Sequence, residues 1–117
     1  MSDAASMLPL PEATLHILLA VADDDRHGYA IIQDVAARTN GELKLSAGTL
    51  YRSIARMMEQ GLIVETRTRP APEDDDERRR YYRMTGLGNR TVRAEADRIA
   101  TALSAAKSKR LFAGGRV

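Results

Sequence analysis

The chain has 117 residues, enough for one domain with a modest core; its 44% apolar and 29% charged residues exclude global disorder. It contains no cysteine, which excludes disulfides, zinc knuckles and thiol nucleophiles, and its longest apolar run, Ile17–Ala22, is far short of the roughly 20 residues of a membrane span. The net charge of +2 conceals a partition that points to a polyanionic partner, nucleic acid being the commonest: residues 1–25 carry five acids and no base and 70–77 carry five acids, whereas 78–117 carry eleven bases against two acids.

Residues 1–9 form an N-terminal tail. Its sequence, continuing as MSDAASMLPLPEA, has neither the basic nor the apolar segment of a signal peptide, so a cytoplasmic location is expected. Pro9 and Pro11 lead into a helix in which Leu15, Leu18, Leu19 and Ala22 recur at helical spacing. Ile17 and Val21 add a second apolar face, which in so short a chain suggests cover by another copy of the protein. Asp23–Asp25 end it as a polar loop. A second, short helix follows in HGYAIIQDVAARTNG, with Ile31, Ile32, Val35 and Ala36 inward and Asn40-Gly41 as its stop.

After the loop ELKL, Ser46 is placed to cap a third helix that runs to about Gln60. Leu50, Ile54 and Met57, with Met58 at the margin, make its inner face; Thr49, Arg52, Ser53, Arg56 and Glu59 lie outside it. Gly61 stands where a left-handed residue ends a helix, with Leu62 folding back on the last turn. The period then changes to two. In LIVETRTR, Leu62 and Val64 alternate with Ile63, Glu65, Arg67 and Arg69; in RRRYYRMT, Tyr82 and Met84 point inward and Tyr81 and Arg83 outward. The proline-bounded acidic segment PAPEDDDE separates them. The expectation is a two-stranded β-hairpin with a long tip, stable only if packed on helices.

From residue 86 to 112 the pattern is helical again, with Thr85 as its cap. Val92, Ala96, Ile99, Leu103 and Ala106 are spaced as a seam for a helix packing lengthwise on a partner, which suggests a dimer. Residues 113–117 form a C-terminal tail. The expected class is mainly α with a small two-stranded β-hairpin: a winged helix-turn-helix over residues 10–85, followed by a long C-terminal dimerisation helix over 86–112.

In helix-turn-helix geometry the N-terminal end of the second helix of the motif faces the base edges. That end carries Ser46, Ala47, Gly48, Thr49, Tyr51 and Arg52, where small residues admit a phosphate to the free N–H groups, and Arg56 lies one turn further on the same outer face. Ser-x-x-Thr is equally an ordinary cap, and Tyr51 equally covers a core edge. The cationic hairpin beside the helix tips the balance. Arg67, Arg69, Arg78, Arg79 and Arg80 sit on its arms, where a wing meets phosphates. With Lys44, these are the candidate residues for binding double-stranded DNA; Leu15, Ile17, Leu18, Val21, Val92, Ala96, Ile99 and Leu103 are the candidates for a dimer interface. The alternative is a winged-helix protein–protein interaction module without specific DNA binding.

HGYAI at 27–31, LSAGTLYRSIARMMEQGLI at 45–63 and RRYYRMTGLGNR at 79–90 together resemble the PadR family of bacterial transcriptional regulators, in its shorter branch with a single C-terminal helix. The resemblance runs from about Leu10 to Leu103. It implies a homodimeric winged-helix repressor whose first and last helices make the dimer, with small-molecule effectors in some members bound near that interface. It also implies that Ser46, Gly48, Thr49, Tyr51 and Arg52 lie at the DNA end of the recognition helix and that Tyr82 packs in the core. Met57 stands where the family has Leu, a volume-conserving exchange. The tip PEDDDE is acidic where DNA would favour basic residues, so it is expected to stay out of the groove or to pair with Arg78–Arg80 in the absence of DNA.

No catalytic constellation, cofactor motif or metal set emerges. His16 and His27 are separated by a helix and a loop, TGLGNR lacks the βαβ context of a phosphate loop, and nothing gathers Ser, His and Asp into a triad.

Overall fold

The computed structural model describes residues 4–66 and 80–111. A single 3₁₀ turn, Ala5–Met7, precedes α1 (Glu12–Ala20), β1 (Arg26–His27), α2 (Gly28–Arg38), α3 (Ala47–Glu59), β2 (Ile63–Thr66), β3 (Tyr81–Met84) and α4 (Gly86–Ser108). The architecture is mainly helical with one small antiparallel sheet. The sheet has three strands rather than two, in the order β1-β3-β2. β2 and β3 form the expected hairpin, with Ile63 opposite Met84 and Thr66 opposite Tyr81. β1 adds to the free edge of β3, pairing Arg26 with Tyr82 and His27 with Tyr81.

The helix ends follow local chemistry. Ser46 caps α3, its hydroxyl accepting from the Thr49 N–H at 3.1 Å, and Thr85 caps α4, accepting from the Gly88 N–H at 3.0 Å. His27 caps α2 through Nδ1, which accepts from the Ala30 N–H at 3.2 Å and so carries no proton in this arrangement. At the end of α3, Gly61 adopts φ +79°, the Leu62 N–H reaches the Met57 carbonyl and the Gly61 N–H reaches that of Met58. These two bonds satisfy carbonyls that the helix leaves orphaned and turn the chain directly into β2. Asn40, at φ 53°, ends α2 by the same device.

α1 is apolar around most of its circumference, and the chain itself supplies the cover. Ile17, Leu18, Ala20 and Val21 are all buried against α2, α3 and α4. The expected second copy is not what covers Ile17 and Val21. Around α1 gather Ile31 and Val35 of α2, Leu50, Ile54 and Met57 of α3, Leu62, Ile63, Tyr82 and Val92. Each large side chain so buried contributes about 1.5–3 kcal/mol relative to exposure.

Three facing assignments in the hairpin are corrected. Ile63 is fully buried and Val64 is 45% exposed, the reverse of the expected alternation. The turn after α3 takes Leu62 out of the strand, and β2 begins with Ile63 facing the core. Tyr81, expected outside, is buried like Tyr82. β1 brings the His27 ring edge-on to the Tyr81 ring, with centroids 5.3 Å apart, so a side chain of the third strand covers part of Tyr81.

The two halves of α4 differ. Gly88, Thr91, Val92 and Glu95 are buried on the body of the domain, whereas no residue from Ala96 to Ser108 is buried. Gly88 marks the tightest contact: a Cβ there would collide with the Leu62 carbonyl oxygen and lie 2.9 Å from Met84 Cγ. No helix among the described residues is long and apolar enough to cross a membrane.

Candidate nucleic-acid interface

α3 presents two chemistries on opposite sides. Leu50, Ile54 and Met57 are buried to within 3%, while Ser46, Gly48, Tyr51, Arg52 and Arg56 are exposed and Thr49 is half-buried. Lys44, in the approach to the helix, is also exposed. The polar end is ordered by its own hydrogen bonds. The Ser46 hydroxyl donates to Thr49 Oγ1 at 3.1 Å, and Arg52 Nη2 donates to the same oxygen at 3.4 Å. A Cβ on Gly48 would lie 3.3 Å from Arg52 Nη1, so the guanidinium folds back toward the start of the helix, as long side chains on a helix do.

That placement has an electrostatic consequence. The start of a helix carries partial positive charge, the first turn of α3 has no acid, and Arg52 adds a full positive charge to the same end. A cation there is favourable only when an anion joins it. Small side chains at Ser46, Ala47 and Gly48 leave the approach open.

Other arginines are committed to the fold. Arg26 Nε donates to the Ala20 carbonyl at 2.6 Å and closes the end of α1. Arg38, paired with Asp34 of the same helix at 2.7 Å, ties α2 to α1 by donating to the His16 carbonyl at 2.9 Å. Arg83 makes a two-pronged contact with Asp25, at 3.1 and 2.8 Å, fixing β3 to the loop after α1. The Arg56 side chain makes no hydrogen bond or ion pair among the described residues, and Arg80, its side chain 72% exposed, meets Glu65 of β2 at 3.8 Å. An exposed pair of this kind contributes about 1 kcal/mol or less and yields readily to a phosphate.

α3 and the sheet each contribute a tyrosine to this region. The Tyr51 ring, half exposed, lies across the start of α2, where its Cζ would be 2.9 Å from a Cβ on Gly28. Tyr51 thus covers an edge of the core while half of it faces solvent beside Arg52. Tyr82 is buried in the core. Burial pushes its phenol above the ordinary value, with Tyr51 and Glu65 adding to the shift and Arg80 opposing it.

Arg67, Arg69, Arg78 and Arg79, and the acidic tip at 73–77, lie outside the described residues. Of the dimer candidates, Ile17, Leu18, Val21 and Val92 are taken by the chain's own core and are not available to a partner. Leu15 is half-buried against the core, and Ala96, Ile99 and Leu103 are exposed. Leu19, at 37%, adds an exposed apolar side chain on α1.

Sequence reasoning missed Glu95, which is 1% exposed. Its Oε2 accepts from the Leu10 N–H at 2.8 Å and its Oε1 from Arg98 Nε at 2.6 Å. The Arg98 hydrogen bond holds the carboxyl below its ordinary value, aided by Leu10 and opposed by burial. Gly88, Thr91, Val92 and Glu95 follow the i, i+3, i+4, i+7 spacing of a buried helix face, a signal that their small and polar side chains disguised. Among the described residues no group of three or more His, Asp or Glu could hold a metal ion.

Comparison with known proteins places this geometry. The model of the transcriptional regulator PadR-like family matches residues 17–94. An uncharacterised protein of Lysinibacillus sphaericus is 33% identical over 72 residues, 62% of this chain and 63% of that protein, so the chain spans under two thirds of that relative's length. Among solved structures, a PadR family transcription regulator from hypervirulent Clostridium difficile superposes with a TM-score of 0.68 at 22% identity, covering 84% of this chain and 97% of that one. A transcriptional regulator from Clostridium thermocellum gives 0.67 at 22% identity, over 82% and 87% of the two chains. At those identities the structures speak to the fold, a winged helix.

Proposed function

The chain belongs to the PadR-like family of transcriptional regulators, and from that premise we propose that it is a homodimeric, cytoplasmic repressor that binds a two-fold operator in double-stranded DNA. The observation that carries this reading is the division of α3: a face sealed into the core by Leu50, Ile54 and Met57, and an opposite end where Ser46, Gly48, Thr49, Tyr51 and Arg52 surround an uncompensated positive helix terminus. That end is the part of a recognition helix that meets base edges in the major groove, where an arginine pairs best with guanine. Lys44, Arg56 and Arg80, with Arg67, Arg69, Arg78 and Arg79 of the wing sequence, supply phosphate contacts.

Two copies joined along Ala96, Ile99 and Leu103 would present two such helices to half-sites about one helical turn apart. Selection from a random duplex pool tests the whole reading. The expected outcome is a pseudo-palindromic consensus bound about a thousandfold or more tighter than random duplex, with affinity falling steeply between 50 and 200 mM salt. Enrichment of no sequence over random duplex would overturn it.

A further inference from the structure

The Glu95 carboxylate occupies a mechanical position that DNA contact does not explain. α1 has Pro11 at its N-cap position, which offers no side-chain cap. Glu95 reaches from α4 to the residue just before it, accepting the Leu10 N–H, and so brings a negative charge to the positive end of α1. A carboxylate with 1% exposure is costly unless fully paired. Here both oxygens are engaged, one by Leu10 and one by Arg98. A leucine would fill the same place without that cost, but it would leave the Leu10 N–H without its acceptor and hold α4 by packing alone.

Glu95 is also the last buried residue of α4. The remaining thirteen residues, Ala96–Ser108, extend without burial on the domain, a lever of about 20 Å at 1.5 Å per residue. A tilt of about 10° at Glu95 would displace the far end by about 3.5 Å, close to the 3.4 Å rise of one base pair. In a two-fold dimer both levers tilt, doubling the effect.

We propose that Glu95 is a positioning residue for operator recognition: by clamping α4 to the start of α1 it fixes the angle at which the exposed half of α4 leaves the domain, and thereby the separation of the two recognition helices. Its role is to set which half-site spacing the dimer accepts. It touches no DNA. The inference rests on the homodimeric DNA-binding reading above.

The test uses the full chain and the consensus recovered by selection, rebuilt with its half-sites one or two base pairs closer or further apart. Fluorescence anisotropy of labelled duplexes gives affinity against spacing for wild type, Glu95→Ala and Glu95→Gln. Thermal melts and sedimentation establish that each variant is folded and dimeric. Wild type should favour one spacing by about tenfold or more. Glu95→Ala should lose about tenfold at that spacing and less than about threefold at the others, flattening the profile; Glu95→Gln, which keeps an acceptor for one of the two donors, should fall between. A folded, dimeric variant with the wild-type profile would overturn the proposal, as would an equal loss at every spacing, the mark of a residue that only stabilises. If Glu95→Ala does not fold, the profile of Glu95→Gln decides by the same criteria. Failure of the wild type itself to prefer any sequence would be a different result, overturning the DNA-binding reading beneath this one.

Discussion

Arg52 and Ile54 stand two residues apart on α3 and face opposite ways, one exposed beside Thr49 and the other 3% exposed in the core. Their substitutions should therefore separate binding from stability. Arg52→Ala removes a contact of about 1–3 kcal/mol if it reaches a guanine edge, relaxing preference at one operator position, and reduces the salt slope by about one if it reaches a phosphate. Its melting temperature should stay within about 2 °C of wild type, because no buried atom is lost. Ile54→Ala should instead cost about 2–5 kcal/mol of stability through the cavity it leaves. Paired titrations and melts check both, and unchanged binding by Arg52→Ala would displace the recognition face from where α3 puts it. Glu95 gives a second test at this scale. Its folded value is lowered, so its stabilisation is complete above the ordinary glutamate value of about 4.3 and is lost as pH falls through the folded one. The gap in urea midpoint between wild type and Glu95→Gln should be widest near pH 7 and narrow steadily below about pH 4; a constant gap would mean that the carboxylate charge plays no part.

Elements were legible where their signals are local and obscure where their partners are distant. Ser46, Thr85, Asn40 and Gly61 act within three or four residues of themselves, and each helix boundary they announce is where the chain turns. β1 is two residues long, too short to show a period, and exists because β3, more than fifty residues later, offers an edge. Tyr81 was misassigned for the same reason, since what covers its outer side includes His27 of that strand. In β2 the run Leu62-Ile63-Val64 is apolar throughout, so alternation alone could not choose its inward members; the turn at Gly61 chose them. Glu95 was missed because charge on a helix ordinarily signals solvent. The open polar end of α3 was legible, being a cap followed by exposed polar residues on one helix, while of the hairpin arginines Arg67, Arg69, Arg78 and Arg79 lie outside the described residues. The joint between α3, the sheet and α4 is the element whose failure should be most severe. Thr85 donates its hydroxyl to the Gly61 carbonyl at 2.6 Å while capping α4, and Gly88 packs against the Leu62 carbonyl. Gly88→Ala forces a methyl group against backbone that cannot swing aside, so it should cost about 1–3 kcal/mol by denaturant melt, despite the better helix propensity of alanine. A neutral or stabilising result would show that α4 can slide on the wing.

At the scale of the whole molecule, what stands out is apolar surface without cover. Ile99 and Leu103 are 43% and 39% exposed along α4, in line with Ala96, and Leu19 on α1 is 37% exposed. An isolated helix half of thirteen residues is marginal in water, and its apolar side chains gain only if something covers them. A second copy of the same helix is self-complementary and closes under two-fold symmetry; it also gives two recognition helices the fixed relation that a palindromic operator requires. Leu103 lies outside the core cluster, so Leu103→Asp should leave the winged helix folded while placing two like charges in the seam. The expected outcome is a dimer for wild type and a monomer for Leu103→Asp in sedimentation at about 10 μM. Loss of the second, tethered half-site should then lower operator affinity by about a hundredfold or more, with affinity for an isolated half-site unchanged. A wild-type monomer at that concentration, or a Leu103→Asp protein that still sediments as a dimer, would remove α4 from the interface, and with it the lever through which Glu95 is proposed to set operator spacing.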